Sequence, residues 1–194
     1  RCAAIQALLE GDASTVELQW FINYATQNDQ QEVLEFYDTY SSPIYDSAPD
    51  FMKEDFMFPY TYGQAFVEKL LDDGGWEAVN AAYANLPVST EQILHPEKYP
   101  DDTPVAVELP DLLPTLGDGW EELDRNVMGE WYTYLILAKG SDLGFQLEAE
   151  TAEDAAAGWG GDAYVIYHQQ SSGQTALVVD WLWDRDRDAD QFAK

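Results

Sequence analysis

The 194-residue sequence is poor in cysteine, histidine and basic residues. Its single cysteine, Cys2, excludes an internal disulfide framework and a thiolate metal cluster and suggests no role of its own. Nine Lys and Arg residues stand against 37 Asp and Glu residues, which gives a formal net charge of -28. Because no basic stripe exists to neutralise phosphates, we expect neither nucleic acid nor an anionic membrane surface as a partner.

Long apolar runs are also missing. No run approaches the roughly 18–20 apolar residues of a membrane span, and no signal peptide is recognisable. The first residue is Arg1 instead of Met, so we expect a processed product, an engineered chain or part of a longer protein. Hydrophobic residues nevertheless make up 46% and aromatic residues 14% of the chain, far more than in a disordered acidic tail.

The first hundred residues have the periodicity of helices joined by one aromatic connection. The first helix carries an apolar stripe of Ile5, Leu8, Leu9, Val16 and Trp20, interrupted by a glycine that costs about 1 kcal/mol relative to Ala. Residues 43–62 form a Pro-bearing aromatic segment that we expect to lie over the core or to line a cleft. The predicted helices span 3–25, 30–40 (capped by Asn28 or Asp29), 63–73, 76–85 and a short turn opened by a Ser89–Gln92 capping box.

The second half contains the clearest strand signal. Segments 163–168 and 175–183 are rich in Val, Ile, Tyr and Trp and flank a Ser-Ser-Gly turn, so we expect an antiparallel hairpin. Helices are predicted over 129–139, 152–157 and 186–193, whereas 120–128 fits a strand or a helix. The sequence thus predicts an α+β fold, predominantly helical, as a single domain over 1–194. A sub-boundary could fall near 100–119, where Val105–Leu109 could form an edge strand.

Glu10 and Asp12 are the first candidates for chemistry, because they flank Gly11 inside the first helix. Asp12 falls within the apolar stripe, where a carboxylate is costly unless it has a hydrogen-bond partner. One interpretation is a solvent-exposed Glu10 on a helix that ends at Gly11. The other makes Glu10 a metal ligand and Asp12 a group that orients another ligand.

The segment Leu9-Glu10-Gly11-Asp12-Ala13 resembles the helix that carries the third zinc ligand in gluzincin-type metallopeptidases. The resemblance implies a zinc ion held by two histidines of an HExxH helix and by Glu10, with peptide hydrolysis by zinc-bound water. It also implies a secreted or surface-anchored bacterial protein. Further pieces in the same order are similar to one bacterial group of these proteins: Phe58–Gly63, Gly74–Trp76, Ser89–Tyr99 and Gly158–Tyr164.

The HExxH motif itself is absent from the sequence. His95 and His168 are 73 positions apart and do not replace it. The resemblance therefore places the motif upstream of Arg1, on a segment of the same polypeptide that would be the chain's first partner. The chain alone should hold no zinc and be inactive. In the intact protein it would provide Glu10 and one wall of the cleft for a peptide or protein substrate.

Tyr60 and Tyr62 follow the Glu-bearing helix in the sequence. A tyrosine hydroxyl can donate to the oxyanion that forms beside zinc during peptide hydrolysis. The alternative is that both are amphipathic aromatics of the core. We interpret His95 as a structural histidine bonded to the backbone, His168 as solvent-facing and the glycine-rich 158–162 as a tight entry to the hairpin. The alternating Asp and Arg of 184–190 fit a charged helix start, not a calcium loop.

Two further hypotheses stay open. The chain could be a non-catalytic binding module, in which the aromatic segment 45–62 holds a peptide or other ligand and the acidic surface favours cationic partners. Alternatively, the acidity could be adaptation to high salt alone, which the presence of five Lys residues in the whole chain fits.

Overall fold

The computed structural model describes all residues, Arg1–Lys194, and the chain divides into two compact units. Unit 1 comprises Arg1–Asp101 and consists of helices, whereas unit 2 comprises Asp102–Lys194 and contains a three-stranded antiparallel sheet with helices. The predicted α+β fold, predominantly helical, is confirmed. None of the helices combines the length and apolarity that a membrane crossing requires.

The aromatic region 43–62 of unit 1 is helical, which corrects our expectation of a connection. Aromatic rings four residues apart contact each other along it, with centroids 5.4 Å apart for Phe58 and Tyr62. Burial of Phe58 and Pro59 offsets the roughly 3 kcal/mol that a proline costs inside a helix. The helices of unit 1 are α1 (Cys2–Tyr24), α2 (Gln27–Thr39), α3 (Pro43–Asp46), α4 (Asp50–Ala84) and α5 (Glu91–Leu94), followed by a 3₁₀ turn at Pro96–Lys98.

Helix α4 is broken at Gly75, where the sequence predicts a helix end. Gly75 has φ 66° and ψ -163°, a backbone conformation that favours glycine. An unbroken helix would separate Gly63 from Tyr83 by about 30 Å, at 1.5 Å per residue. Yet the adjacent residues Gly11 and Asp12 of α1 contact Gly63 and Tyr83 respectively. The break therefore turns the end of α4 back towards α1.

Helix α1 packs on α4 mainly through small residues, and of the apolar stripe predicted for it only Leu8 is fully buried. Leu9, Val16 and Trp20 are about half exposed. A Cβ on Gly11 would lie 2.1 Å from the carbonyl carbon and oxygen of Gly63, so the two backbones touch and leave no room for large side chains. The buried residues of α1 are Ala4, Ala7, Leu8, Gly11 and Thr15.

Two helix caps differ from their predicted form. Thr26, not Asn28 or Asp29, caps α2: its Oγ1 accepts from the Asp29 backbone N–H at 3.2 Å, and Asp29 Oδ2 accepts from the Thr26 N–H at 2.8 Å. Asp29 is therefore the third-position partner of a capping box. At Ser89–Gln92 half of the predicted box forms, because Ser89 Oγ accepts from the Gln92 N–H at 3.2 Å while Gln92 Oε1 accepts from the Val88 N–H.

Unit 2 is built on a sheet with strand order β1-β2-β3, both pairs antiparallel. The predicted hairpin is confirmed as β2 and β3, and the ambiguous segment 120–128 is mainly the edge strand β1. The elements are α6 (Leu113–Leu116), β1 (Trp120–Asn126), α7 (Gly129–Lys139), α8 (Ala149–Ala156), β2 (Trp159–Gln169), β3 (Gln174–Trp183) and α9 (Asp186–Phe192).

The two faces of this sheet are covered differently. On one face, the Leu112 N–H of the extended segment 103–112 donates to the Tyr167 hydroxyl at 3.3 Å. At the edge of β2, the Val105 N–H of the same segment donates to the Gly160 carbonyl at 2.8 Å. Residues 105–109 do not form the edge strand that we considered. On the other face lies α7, whose Thr133 Oγ1 accepts from Trp181 Nε1 at 3.2 Å.

Candidate functional site

The crossing of α1 and α4 positions the residues that the sequence singles out in unit 1. A Cβ on Gly63 would lie 2.1 Å from the carbonyl oxygen of Ala7, so neither glycine at the crossing can be replaced without moving a helix. Glu10 directly precedes Gly11, and Tyr62 directly precedes Gly63. The close contact of the two backbones therefore fixes the helix positions that bear Glu10 and Tyr62.

Glu10 is half-buried on α1 and makes no hydrogen bond or ion pair. The helix continues through Gly11, so the interpretation that it ends there is wrong. The exposed stripe of Leu9, Val16 and Trp20 on the same helix lines an open depression of about 580 Å³, whose lining includes Asp12 but not Glu10. Glu10 thus has a carboxylate free for an external ligand and a neighbouring apolar surface that no other element of unit 1 buries.

Asp12 has the hydrogen-bond partner that its position requires. Its Oδ2 accepts from the Tyr83 hydroxyl at 2.6 Å, across the return of α4 beyond Gly75. Partial burial, together with the bond to this carboxylate, raises the pKa of Tyr83 to about 12. Sequence analysis missed Tyr83, because its meeting with α1 depends on the direction in which the chain turns at Gly75.

Tyr60 and Tyr62 are half-buried and pack along α4. The ring of Tyr60 lies 6.0 Å from that of Phe56, and the ring of Tyr62 lies 5.4 Å from that of Phe58. These contacts at four-residue spacing fit the alternative of amphipathic aromatics. Their role as oxyanion donors stays a prediction.

The residues of unit 1 do not by themselves fit a zinc ion. A catalytic zinc takes three protein ligands, and Glu10 offers one carboxylate oxygen donor at this place. His95 stands at the end of α5, with Nδ1 4.0 Å from Glu97 Oε1. His168 belongs to unit 2, on β2 opposite Glu121 of β1. Zinc at Glu10 therefore requires ligands from another polypeptide segment.

A buried carboxylate in the glycine-rich segment 158–162, which the sequence indicates as a tight entry to the hairpin, organises unit 2. Asp162 is 2% exposed, and its two oxygens accept three hydrogen bonds. Oδ1 accepts from the Gly129 N–H at 2.8 Å and from Trp159 Nε1 at 2.9 Å, and Oδ2 accepts from the Met128 N–H at 2.8 Å. Asp162 is therefore the anionic cap of α7, placed at the helix end where negative charge is stabilised.

A groove of about 440 Å³ lies between α7 and the exposed part of the sheet in unit 2. At its polar end the Tyr164 hydroxyl donates to Asp124 Oδ2 at 2.6 Å. This hydrogen bond, with burial as the second cause, raises the pKa of Tyr164 to about 12. The groove is lined by Asn126, Val127, Met128, Tyr132, Ile136, Tyr164, Ile166 and Leu177.

Residues 16–57 of unit 1, which we call the helical arm, contain no buried residue. The arm comprises the end of α1, all of α2 and α3 and the start of α4. Exposed apolar clusters of this extent mark interaction surfaces in proteins. Phe21 and Tyr45 of the arm are partly buried, and its other large apolar side chains are each at least 37% exposed: Val16, Leu18, Trp20, Ile22, Tyr24, Val33, Leu34, Phe36, Tyr37, Tyr40, Ile44, Phe51, Met52, Phe56 and Met57.

Comparison with known proteins finds one similarity, confined to the second unit. Residues 115–194 match the model of a domain family described as a domain of unknown function, DUF8575. No curated protein and no solved structure matches the chain. The similarity therefore covers the sheet, α7 and Asp162, and leaves the α1–α4 crossing and the helical arm outside it.

Proposed function

We propose that this chain forms one wall of a gluzincin-like zinc metallopeptidase and supplies Glu10 as the third zinc ligand. The HExxH helix, with two histidines and the general-base glutamate, would come from another segment of the polypeptide. The observation that carries the proposal is the state of Glu10: half-buried, without a partner, on a helix locked by the contact of Gly11 with Gly63. A metal ligand needs such a rigid support.

The surroundings of Glu10 support the proposal in two ways. Asp12 is engaged by Tyr83, so a second carboxylate of the same helix does not compete for the metal. The exposed stripe from Leu9 to Trp20 extends over about 16 Å of α1, the length of three helical turns. A further helix could pack on this stripe and bring two histidine ligands next to Glu10.

This chain would contribute by holding Glu10 in a fixed position. Zinc, when bound, supplies an activated water at neutral pH. Glu10 would complete the ligand set with a carboxylate whose helix cannot shift, because a displacement of α1 would drive its backbone into Gly63. The predicted roles of Tyr60 and Tyr62 in holding the oxyanion belong to the same proposal.

The test uses the full-length gene product and two substitutions on α1, Glu10→Gln and the matched control Glu17→Gln. We expect an HExxH segment in the gene product, one zinc per chain by elemental analysis, and peptidase activity in the wild type and the control. Glu10→Gln should weaken zinc affinity by more than the roughly 10–100-fold lost when an outer hydrogen-bond partner of a ligand is removed. A gene product without HExxH, or equal zinc affinity in both variants, would overturn the proposal.

A further inference from the structure

Helix α2 of the helical arm is amphipathic, and its apolar face is uncovered. Val33, Phe36 and Tyr37 recur at helical spacing on one face, and the ring of Tyr40, the residue that directly follows the helix, contacts Phe36. None of the 13 residues of α2 is buried. An isolated helix of this length is marginal in water, so its apolar face is a surface that gains from a partner.

The aromatic rings at this face contact one another in the isolated chain. The ring centroid of Phe36 lies 5.4 Å from that of Tyr37 and 5.4 Å from that of Tyr40. Aromatic side chains dominate the binding energy of protein interfaces, because they bury much area with few rotatable bonds. The stripe of α2 therefore has the composition of an interface centre.

The polar face of α2 stabilises the helix locally. Besides the capping box at Thr26, Asn28 donates to Glu32 and Gln31 donates to Glu35, each at 2.8 Å and four residues apart. Such pairs stabilise an isolated helix. They therefore reduce the ordering of α2 that binding requires.

The negative charge of α2 indicates which kind of polypeptide could cover its apolar face. Glu32, Glu35 and Asp38 occupy the remaining circumference of the helix, and α2 contains no basic residue. A second copy would bring two acidic rows together, in chains of net charge -28 each. A helix with Lys or Arg beside its apolar stripe would instead pair with these carboxylates, and electrostatic complementarity of this kind sets partner choice.

We propose that the apolar face of α2 docks a basic amphipathic helix of a partner protein. The partner's apolar residues would cover Phe36 and Tyr40, and its Lys or Arg side chains would reach Glu32 and Glu35. Pairing of two amphipathic helices in this way uses apolar residues spaced three and four positions apart on each helix. The inference stands independently of Glu10 and of zinc.

The test is a titration of the chain with an 18-residue helical peptide of Leu and Lys, its apolar face matched to two turns of α2. The wild type should bind with micromolar affinity, weaker at 500 mM than at 50 mM salt. Phe36→Ser combined with Tyr40→Ser should lower the affinity at least tenfold. The matched pair Leu143→Ser and Phe145→Ser, at positions 80% and 84% exposed in unit 2, should leave it unchanged.

Because α2 buries no residue, the Phe36→Ser/Tyr40→Ser variant should keep its thermal midpoint, and its loss of binding then reports the surface alone. Glu32→Gln with Glu35→Gln should weaken binding several-fold at 50 mM salt. Equal binding of the aromatic variant, or equally tight binding of a Leu/Glu peptide, would overturn the proposal. So would a stable dimer of the wild type that the aromatic variant converts to a monomer, since a second copy would then be the occupant.

Discussion

Unit 1 contains two helical regions that differ in how they treat apolar side chains. In the base, formed by residues 2–15 of α1 and 58–84 of α4, the helices meet through Ala and Gly. In the helical arm, residues 16–57, most large apolar side chains are exposed. Hydrophobicity alone therefore does not indicate which helix face is buried. The small residues do, because they permit backbones to touch and Phe58 and Phe66 to fill the space beside them.

The same contrast extends to what stabilises each region. The base is stabilised by fully buried side chains such as Phe66 and Val67, whereas α2 relies on a capping box and on hydrogen bonds between neighbouring turns. Local interactions of that kind open with small free energies, and buried cores open with the whole fold. We therefore expect the arm to be the first part of unit 1 to lose structure, and the base the last.

A large effect is expected at the contact between the two helices of the base. An Ala in place of Gly inside a helix normally stabilises by about 1 kcal/mol. Gly63→Ala should instead lower the free energy of unfolding by about 3 kcal/mol or more, because its Cβ would lie 2.1 Å from the Ala7 carbonyl oxygen. Urea denaturation followed by circular dichroism measures this change.

Ala65→Val serves as the control for this substitution, since Ala65 is exposed on the same helix. Its added methyl groups should cost about 0.5 kcal/mol through helix propensity alone. A Gly63→Ala variant as stable as the wild type would show that the backbones at the crossing are farther apart than described.

A second prediction compares two helix caps: the cap of α7, which comes from a residue far away in the sequence, and the cap of α2, which comes from neighbouring residues. Asp162→Ala would leave the N–H groups of Met128, Gly129 and the Trp159 indole without their buried acceptor, and should cost about 3 kcal/mol. Thr26→Ala removes a cap of α2 formed within four residues and should cost about 1 kcal/mol of helix stability.

Tryptophan fluorescence during urea denaturation reports the Asp162→Ala effect, since Trp159 and Trp131 are buried in unit 2. Asp180→Ala, on the exposed side of β3, should change stability by less than about 0.5 kcal/mol. Should both Asp variants lose the same stability, net charge and not the cap of α7 would be the cause.

The sequence predicts the parts of this fold that depend on local patterns. Periodicity identifies α1, α7, the β2–β3 hairpin and the break at Gly75, since each depends on residues close in the chain. Periodicity does not predict features that depend on contacts between segments far apart in the sequence. The face of α1 that is buried depends on the glycine of a helix some fifty residues away, and a helical wheel that ranks hydrophobicity selects a stripe of which only Leu8 is fully buried.

The residues of the candidate site likewise divide into those that the sequence could predict and those that it could not. Asp12 could be recognised as a carboxylate that needs a partner, but Tyr83 could not be named, because the partner depends on how α4 turns back. The sequence places Asp162 in the entry to the hairpin but does not reveal its role as a cap for α7, because that contact spans more than thirty residues. Glu10 is placed beside the glycine crossing, and its role as a zinc ligand stays a prediction.

A third, smaller effect concerns the hydrogen bond between Tyr83 and Asp12, which ties the two ends of the base together. Tyr83→Phe should cost about 0.5–1 kcal/mol at pH 7, a modest value because the pair is partly exposed. The pKa of Tyr83 is raised to about 12 in the folded state from an ordinary value of 10.0. Its contribution is therefore complete below pH 10 and is lost as the pH rises through 12.

Stability measured between pH 9 and 12 should fall more steeply in the wild type than in Tyr83→Phe. The difference between the two proteins isolates this group, because Tyr164, whose pKa is also raised to about 12, is present in both. Tyr37→Phe is the matched control on the arm, where the hydroxyl is exposed and has no partner. Identical slopes in the wild type and Tyr83→Phe would exclude a role for the Asp12 bond in the folded state.

The smallest expected effect is on the arm, where replacing a phenylalanine by alanine should hardly change stability, whereas the same replacement in the base should destabilise the protein. Phe36 is 56% exposed, and Phe66 is 0% exposed. Phe66→Ala should cost about 3–5 kcal/mol, the usual range for a buried phenylalanine. Phe36→Ala should stay within about 0.5 kcal/mol of the wild type, because the higher helix propensity of Ala offsets the lost ring contacts.

Urea denaturation of the two Phe variants, at protein concentrations a hundredfold apart, separates the possible causes of any larger effect. If Phe36→Ala costs 2 kcal/mol at both concentrations, the arm is covered by its own chain in solution, and the base and the arm are one packed region. If the cost appears at the higher concentration alone, a second copy covers the aromatic stripe of α2. A negligible cost at both protein concentrations means that the stripe is exposed in the isolated chain and available to a partner. A partner that binds the folded chain stabilises it to a degree that depends on the partner's concentration, so a stripe with no partner contributes nothing to stability.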